Sequence, residues 1–282
     1  MKKKGISKKA AKYWAGYAVK IIIGLVICTP LLVCFMSAIK VEAEVVNSLG
    51  LQALLPPAHP TIQNFIDVCT KVPMHRFLMN TLIQCASVII SQVIFCSLAA
   101  YALTYFDFKG KNLLFTFILT TMMIPGDVVI IANYIQIQKW NLTNTHLGMA
   151  LPMLIGGMGI FLMRQFYLTL PRDLKEAADI DGCGDLGFFF RIALPLSVPS
   201  PAALSIREFI TVYNRYFWPL LVTNSQSMRT VQLAVAAMKD AEFNSTALDM
   251  ACAACCIIPV VLVFVIGHKY IVKGMTAGAV KG

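Results

Sequence analysis

The sequence predicts an all-α, polytopic membrane protein with six transmembrane helices and one acidic, glycine-broken cytoplasmic loop. Three observations carry that expectation. Hydrophobic residues make up 58% of the 282 residues and charged residues only 13%, with a mean hydropathy of +0.71, where a soluble domain carries about 25% charged residues. Several apolar runs approach or exceed the ~20 residues that span a bilayer as a helix. Lys and Arg fall unevenly between alternate loops. A transmembrane β-barrel would instead show alternating segments of ~10 residues.

The elements follow in order. The start, MKKKGISKKAAK, is basic and leads into an apolar run over about 13–39. That run is too long for the apolar core of a cleaved signal peptide and reads as a retained first span. Lys20 lies near its cytoplasmic end, where a long stem can snorkel. An external loop over 40–76 contains LLPPAHPT and is expected to lie on the membrane surface or cap a vestibule. Residues 1–76 thus form a leader, a span and a loop. Residues 77–282 form the main transmembrane domain, with spans at about 77–105, 113–137, 147–167, 195–222 and 248–272. The acidic loop occupies about 168–195.

Orientation follows from charge. With the N-terminus inside, fifteen Lys and Arg lie in inner segments and six in outer loops, while Lys20, Arg207 and Arg215 lie within spans. The positive-inside rule places both termini and the acidic loop in the cytoplasm. The net charge of +10 is accounted for by these loops and does not call for a nucleic-acid partner. Cys28, Cys34, Cys85, Cys96, Cys252, Cys255 and Cys256 fall in apolar runs, where a thiol packs as a small hydrophobe; Cys69 and Cys183 sit in loops. His59, His75, His146 and His268 are scattered, with no HExxH or paired-ligand spacing, so neither a metal site nor catalysis is expected. No GxxxxGK[ST] phosphate loop is present. Any ATP used must therefore be bound by another chain.

The loop KEAADIDGCGDLGFFFRIALP has the grammar of a short helix. Pro171 suits a first helical position, and Asp173 favours the positive end of the helix dipole. Leu174, Ala177, Ala178 and Ile180 supply a small apolar face. Gly182 suits a left-handed stop. A second apolar, aromatic segment over 186–194 feeds Pro195 at the start of the fifth span. Ala177 and Ala178 let another surface approach closely, and Glu176 with the aspartates offers it charge. A solvated amphipathic connector is equally compatible with these features alone.

The full pattern is more specific. Glu176-Ala177-Ala178, three residues, Gly182, nine residues, Ile192, one residue and Leu194-Pro195 resembles the cytoplasmic EAA signature of ATP-binding-cassette importer permeases at every fixed position. GIFLMRQFYLTLPRDLKEAADIDG, YNRYFWPLLVTN and KYIVKGMTAGAVKG resemble the carbohydrate-importer branch of that family, of the MalG/UgpE type, over roughly 77–282. The resemblance implies a permease subunit in a bacterial cytoplasmic membrane. Its implied partners are a homologous second permease, a dimer of ATPase subunits that binds ATP and Mg, and an extracytoplasmic solute-binding protein. This chain itself is expected to bind no cofactor. Glu176, Ala177, Ala178, Asp181, Gly182 and Pro195 are the implied ATPase-coupling residues.

The sequence also departs from the family pattern. Arg207 and Glu208 stand where such permeases usually carry apolar or small residues, and Asp127 replaces a commonly apolar one. A charge at mid-bilayer costs about 2.5–3.5 kcal/mol on insertion scales and normally faces a bundle interior, a partner or a water-filled path. On helical spacing Arg207, Thr211, Asn214 and Trp218 share a face, flanked by Glu208 and Arg215, which makes them candidates for a substrate pathway. Trp218, Tyr213 and Tyr216 fit either an interfacial belt or a sugar-stacking surface. Depth along the helices pairs Asp127 with Arg207, and Glu208 is the rival partner. A stand-alone carrier coupled to protons or sodium is the competing function, with Asp127 and Glu208 as its candidate relay. Two cargo classes remain open: a neutral carbohydrate, or a phosphorylated polyol such as glycerol-3-phosphate, whose oxygens would suit the arginines.

Overall fold

In a computed structural model the described residues are 8–48, 50–240 and 245–277, and every regular element among them is a helix or helical turn. The chain divides into two compact units. One is formed by Met1–Val72 and Val235–Ile257, the other by Pro73–Ala234 and Ile258–Gly282. The first unit thus takes in a stretch that a division at residue 76 groups with the remainder.

In the first unit, α1 (Lys8–Ala38) presents apolar side chains outward: Trp14, Ile22, Leu25 and Ile27 are more than half exposed. That inverts the pattern of a soluble helix and fits contact with lipid. Among its described side chains only those at the C-terminal end are buried, at Cys34, Ser37 and Ala38. The start of the last helix, Thr246–Ala277, buries Ala247, Ala251, Cys252 and Ala254, small residues of the kind that let helices approach closely in lipid. The Cys34 thiol donates to the Met250 carbonyl at 3.5 Å. Polar groups close the free helix ends. Asn64 donates to the carbonyls of Ala38 and Lys40. Glu42, opening the short helix α2 (Glu42–Asn47), accepts from Ser245 Oγ and from the backbone N–H groups of Thr246 and Ala247, which serves the positive end of the last helix. A turn over Gly50–Leu54, the short helix α3 (Gln63–Lys71) and nearly all of a helix over Ala234–Asp240 belong to this unit as well.

The second unit is built on α4 (Met74–Tyr105), a helix of 32 residues with no internal break. Against it lie helices that sequence reasoning expects to be continuous and that are not. The expected span over 113–137 is two helices, α5 (Lys111–Thr121) and α6 (Ile130–Lys139), separated at Pro125 and Gly126. Proline removes a helical donor and clashes with the preceding turn. The span over 147–167 consists of α7 (His146–Ala150), a turn over Leu151–Met153 and α8 (Gly157–Tyr167), bent by 51°.

The loop and the next span form one bent stretch. They comprise α9 (Asp173–Ile180), α10 (Asp185–Phe188), a π-helical turn over Phe189–Ala193, α11 (Leu194–Leu196) and α12 (Pro199–Tyr213), with a 73° bend before α12. The span then breaks again at residues 214–216 before α13 (Phe217–Val222). The short α14 (Ala234–Asp240) and the last helix, α15, follow.

A polar stripe on α4 explains how the break between α7 and α8 is tolerated. Gln84 Nε2 donates to the Met149 carbonyl at 3.0 Å, Ser91 Oγ to Leu154 at 2.8 Å, Gln92 Nε2 to Met153 at 2.9 Å and Cys96 Sγ to Gly156 at 3.5 Å. A carbonyl freed by a break in a membrane helix must find a partner inside the protein, and one unbroken helix supplies all four. By length and composition three described helices can cross a membrane: Gly16–Ala38, Met74–Tyr105 and Thr246–Gly267. The number rises to five if each bent pair counts as one span.

Candidate functional site

The acidic loop is a compact, rigidly held device. Helix α9 ends as its sequence demands: Gly182 has φ +73°, Cys183 N donates to the Ala178 carbonyl at 2.8 Å and Gly182 N to Asp179 at 3.1 Å. These two bonds are a Schellman stop. One side of the helix is seated. Ala178 is buried in a cluster with Tyr101, Tyr167, Phe188 and Phe189, and Leu174 packs against it. Lys175 spans the glycine break, its ammonium contacting Asp179 and lying 3.2 Å from Asp185, with the Phe188 ring beneath it. The contact with Asp179 raises the lysine pKa. Tyr101 Oη completes the seat by donating to the Asp185 carbonyl at 3.2 Å.

The other side faces out. Asp173, Glu176 and Ala177 are exposed, and Ile180 is 87% exposed. The expected apolar face is therefore split: Leu174 and Ala178 turn in, whereas Ala177 and Ile180 turn out. Asp181 and Pro195 are exposed. Leu186 and Phe190, also exposed, extend the outward apolar surface past the glycine. An acid-flanked apolar knob on a braced helix can enter a groove on another protein.

The expected pathway residues do not all meet. Arg207 pairs with Glu208, not with Asp127. Asp127 is exposed in the break between α5 and α6 and makes no ion pair among the described residues. The depth argument fails because it counts residues along a helix that is interrupted there. Trp218 leaves the shared face for a similar reason: α12 stops at Tyr213. The indole is buried with Ile137, Met149 and Val222, and its N–H donates to the Met149 carbonyl at 2.9 Å. Tyr213 is buried and stacked on Phe209. Only Tyr216 of this trio is exposed. Asn214 is exposed and bonds back to the Ile210 carbonyl.

Arg207, Glu208, Thr211 and Arg215 do converge. They line a cavity of about 280 Å³ beside the break in the α7–α8 span, together with Gln92, Met122, Met153, Ile155 and Met158. Glu208 is buried and its second oxygen lies 3.3 Å from Gln92 Nε2. Gln92 Oε1 is buried with no hydrogen-bond partner. Sequence reasoning passed over Gln92. Its signal was an amide within a long apolar helix, the kind of residue that marks function in a membrane.

Residues 92–277 match the family described as binding-protein-dependent transport system inner membrane component. The arabinooligosaccharides transport system permease protein AraQ of Halalkalibacterium halodurans is 32% identical over 254 residues, covering 90% of this chain and 91% of that protein. The sn-glycerol-3-phosphate transport system permease protein UgpE of Yersinia pestis is 33% identical over 266 residues, covering 91% and 94%. A crystal structure of a bacterial ABC transporter involved in the import of the acidic polysaccharide alginate shares the fold, with a TM-score of 0.81 at 20% identity over 95% of this chain and 99% of that one.

Proposed function

This chain belongs to the family of binding-protein-dependent transport system inner-membrane components, and we propose that it couples a separate ATPase to the import of a carbohydrate or related polyol. It is a permease subunit of the ATP-binding-cassette importer class, and its relatives are transport subunits, not enzymes. The observation that carries the coupling reading is the outward face of α9, with Glu176, Ala177 and Ile180 exposed over a seat made by Ala178 and Lys175. An ATPase groove would take this knob. ATPase closure, with ATP and Mg bound on those partner chains, would push on α9 and reach α12 through α10 and the π-helical turn. A second, homologous permease would complete the pathway, and an external solute-binding protein would deliver the cargo.

The same reading gives six spans with both termini cytoplasmic: three long helices, two bent pairs, and α5 with α6 as a third broken pair. A cavity of about 720 Å³ beside the α4–α5 turn supports the orientation, because Lys109, Lys111, Arg164 and Arg172 line it with Asp107 as the one acid. Such a basic excess suits an inner surface. A stand-alone ion-coupled carrier is disfavoured: its candidate relay, Asp127 with Glu208, is not assembled.

The test is uptake of labelled arabinooligosaccharides, maltodextrins, monosaccharides and glycerol-3-phosphate by cells with and without the chain. Deletion should abolish uptake of one class. Glu176→Lys should leave the protein inserted while abolishing solute-stimulated ATP hydrolysis by the importer. Normal stimulation in that variant refutes the coupling role. In a cysteine-free background an impermeant thiol reagent should label Ser225→Cys from outside and not Asp179→Cys; the reverse refutes the orientation.

A further inference from the structure

The cavity of about 720 Å³ at the α4–α5 turn holds more positive charge than its own residues neutralise. We propose that it binds the phosphate of an anionic membrane lipid, held by Lys109, Arg164 and Arg172, with the acyl chains along the outward face of α5. This inference goes beyond the transport reading and holds for whatever cargo the chain carries.

Three helix ends assemble the site. Helix α4 stops at Tyr105, α5 starts at Lys111 and α8 stops at Tyr167, and the cavity lies among them. Ends of membrane helices mark the level at which headgroups meet water. On the orientation proposed above, that level is the inner leaflet.

Charge selects an anion. Lys111 is used internally: its ammonium donates to the Phe106 carbonyl at 2.7 Å and the Thr104 carbonyl at 3.4 Å, and lies 3.3 Å from Asp107. It thereby serves the negative end of α4 and neutralises the one acid of the lining. Lys109, Arg164 and Arg172 also line the cavity, and none has a carboxylate within ion-pair distance among the described residues. Arg164 is partly buried. Its Nε donates to the Leu103 carbonyl at 3.4 Å, and its guanidinium lies 4.1 Å from the centre of the Phe115 ring. Those contacts leave most of its donors and its whole charge unanswered. A cation drawn partly out of water normally has an anion beside it. Here the anion must come from outside these residues, and phosphate oxygens match a guanidinium in pairs.

The rim selects a lipid over free phosphate. Phe108, Leu113 and Leu168 line the same cavity and are exposed. Phe117 stands one turn beyond Leu113 on the same face of α5, and each of the two is 62% exposed. A dissolved ion gains nothing from such a rim, whereas acyl chains would cover it. The charge balance also selects among lipids. An ethanolamine or choline headgroup brings its own cation, which would face Lys109 and Arg172; a glycerol headgroup brings none. Basic pockets between membrane helices on the cytoplasmic side take anionic headgroups of this kind. Arg172 gives the site a consequence. Its carbonyl accepts from Lys175 N at 2.8 Å and Glu176 N at 3.2 Å, which opens α9. A headgroup held by Arg164 and Arg172 therefore ties the start of α9 to the end of α8.

The experiment uses the full chain, solubilised with whatever partners accompany it. Its thermal midpoint is read in mixed micelles of dioleoyl phosphatidylglycerol, in mixed micelles of dioleoyl phosphatidylcholine, and with inorganic phosphate. Phosphatidylglycerol should raise the midpoint in a saturable way, and the other two should not. Lys109→Gln and Arg172→Gln, both at exposed positions, should each weaken the apparent affinity about fivefold, the share of one basic residue near an anionic surface. Arg172→Lys should keep most of it. Arg191→Gln removes the same charge from an exposed position outside the cavity and should change nothing. Arg164→Gln also breaks the bond to Leu103, so Lys109→Gln and Arg172→Gln decide the matter. Native mass spectrometry should find one phosphatidylglycerol fewer retained on the double variant of these two than on the wild type. Equal shifts with phosphatidylcholine, saturation by inorganic phosphate, a loss in Arg191→Gln as large as in Arg172→Gln, or equal retention overturns the lipid site. Each of those results leaves the importer reading standing, and a failed uptake test leaves the lipid site standing.

Discussion

Gly182→Val tests the proposed coupling role of the acidic loop at its glycine stop. A Cβ at position 182 would meet nothing within 4 Å, so the substitution costs no steric overlap with the rest of the fold. The cost is conformational. Gly182 sits at φ +73°, where an L-residue loses about 1–2 kcal/mol and a β-branched one is a genuine outlier. If the residue relaxes to negative φ, the Schellman bonds from Cys183 N to Ala178 and from Gly182 N to Asp179 break, and the Lys175 link to Asp185 across the break is drawn apart. A penalty of about 1–2 kcal/mol lowers the ratio of seated to unseated loop about 5–30-fold. Asparagine enters the left-handed region with little cost, so it is the control. In the reconstituted importer, solute-stimulated ATP hydrolysis and uptake should fall in the order Gly, Asn, Ala, Val at equal membrane levels. Equal activity of Val and Gly, or an Asn variant as poor as Val, refutes the glycine-stop argument.

Glu42 gives a pH dependence in the first unit. Burial works to raise its pKa, but hydrogen bonds from Ser245, Ala247 and Thr246 outweigh that and leave it lowered. A lowered carboxylate contributes stability above its unfolded value, and that stability is lost as pH falls through the folded value. Protection of the Thr246 and Ala247 amides, taken relative to the intrinsic exchange rate at each pH, should therefore fall below about pH 4, and Glu42→Gln should show low protection already at pH 7; protection in the wild type that does not change with pH refutes the cap. Gly148→Ala should lower the thermal midpoint of the solubilised chain, because its Cβ would lie 2.1 Å from the Leu142 carbonyl oxygen and overpacking of this kind costs about 1–3 kcal/mol; an unchanged midpoint refutes that packing.

The acidic loop was legible because its signals are local. Asp173, Ala178 and Gly182 each act through neighbours within a few residues, so spacing alone locates the helix and its stop. The orientation of α9 was not legible, since an eight-residue helix turns whichever face its support accepts. Tyr101, far off in sequence, joins Tyr167 and Phe188 of the neighbouring helices to select Leu174 and Ala178. Hydropathy likewise shows spans but not their interruptions. Arguments that ran a continuous helix through residues 122–129 or 214–216 misplaced Asp127 and Trp218. The break in the α7–α8 span had a distant signature, the recurrence of Gln84, Ser91 and Gln92 on α4, but those polar groups gain meaning only once the carbonyls of Met149, Met153 and Leu154 are placed opposite them.

Gln92 shows why a broken span draws a polar residue onto the helix that faces it. A continuous helix spends its carbonyls on itself. A break releases carbonyls that must be satisfied within the protein, so a polar side chain is drawn to the interior at that depth. An amide meets this need with its nitrogen, here at Met153 and at Glu208. Serine at the same position would offer one small hydroxyl with shorter reach. Glutamate would set a second carboxylate against Glu208 and lose the donor to Met153. Leucine would strand the carbonyl. The break set by α7 and α8 and the buried carboxylate of Glu208 thus select the same residue type, because one amide nitrogen serves both. That carboxylate, held also by Arg207, does not stand as an isolated charge within the bundle.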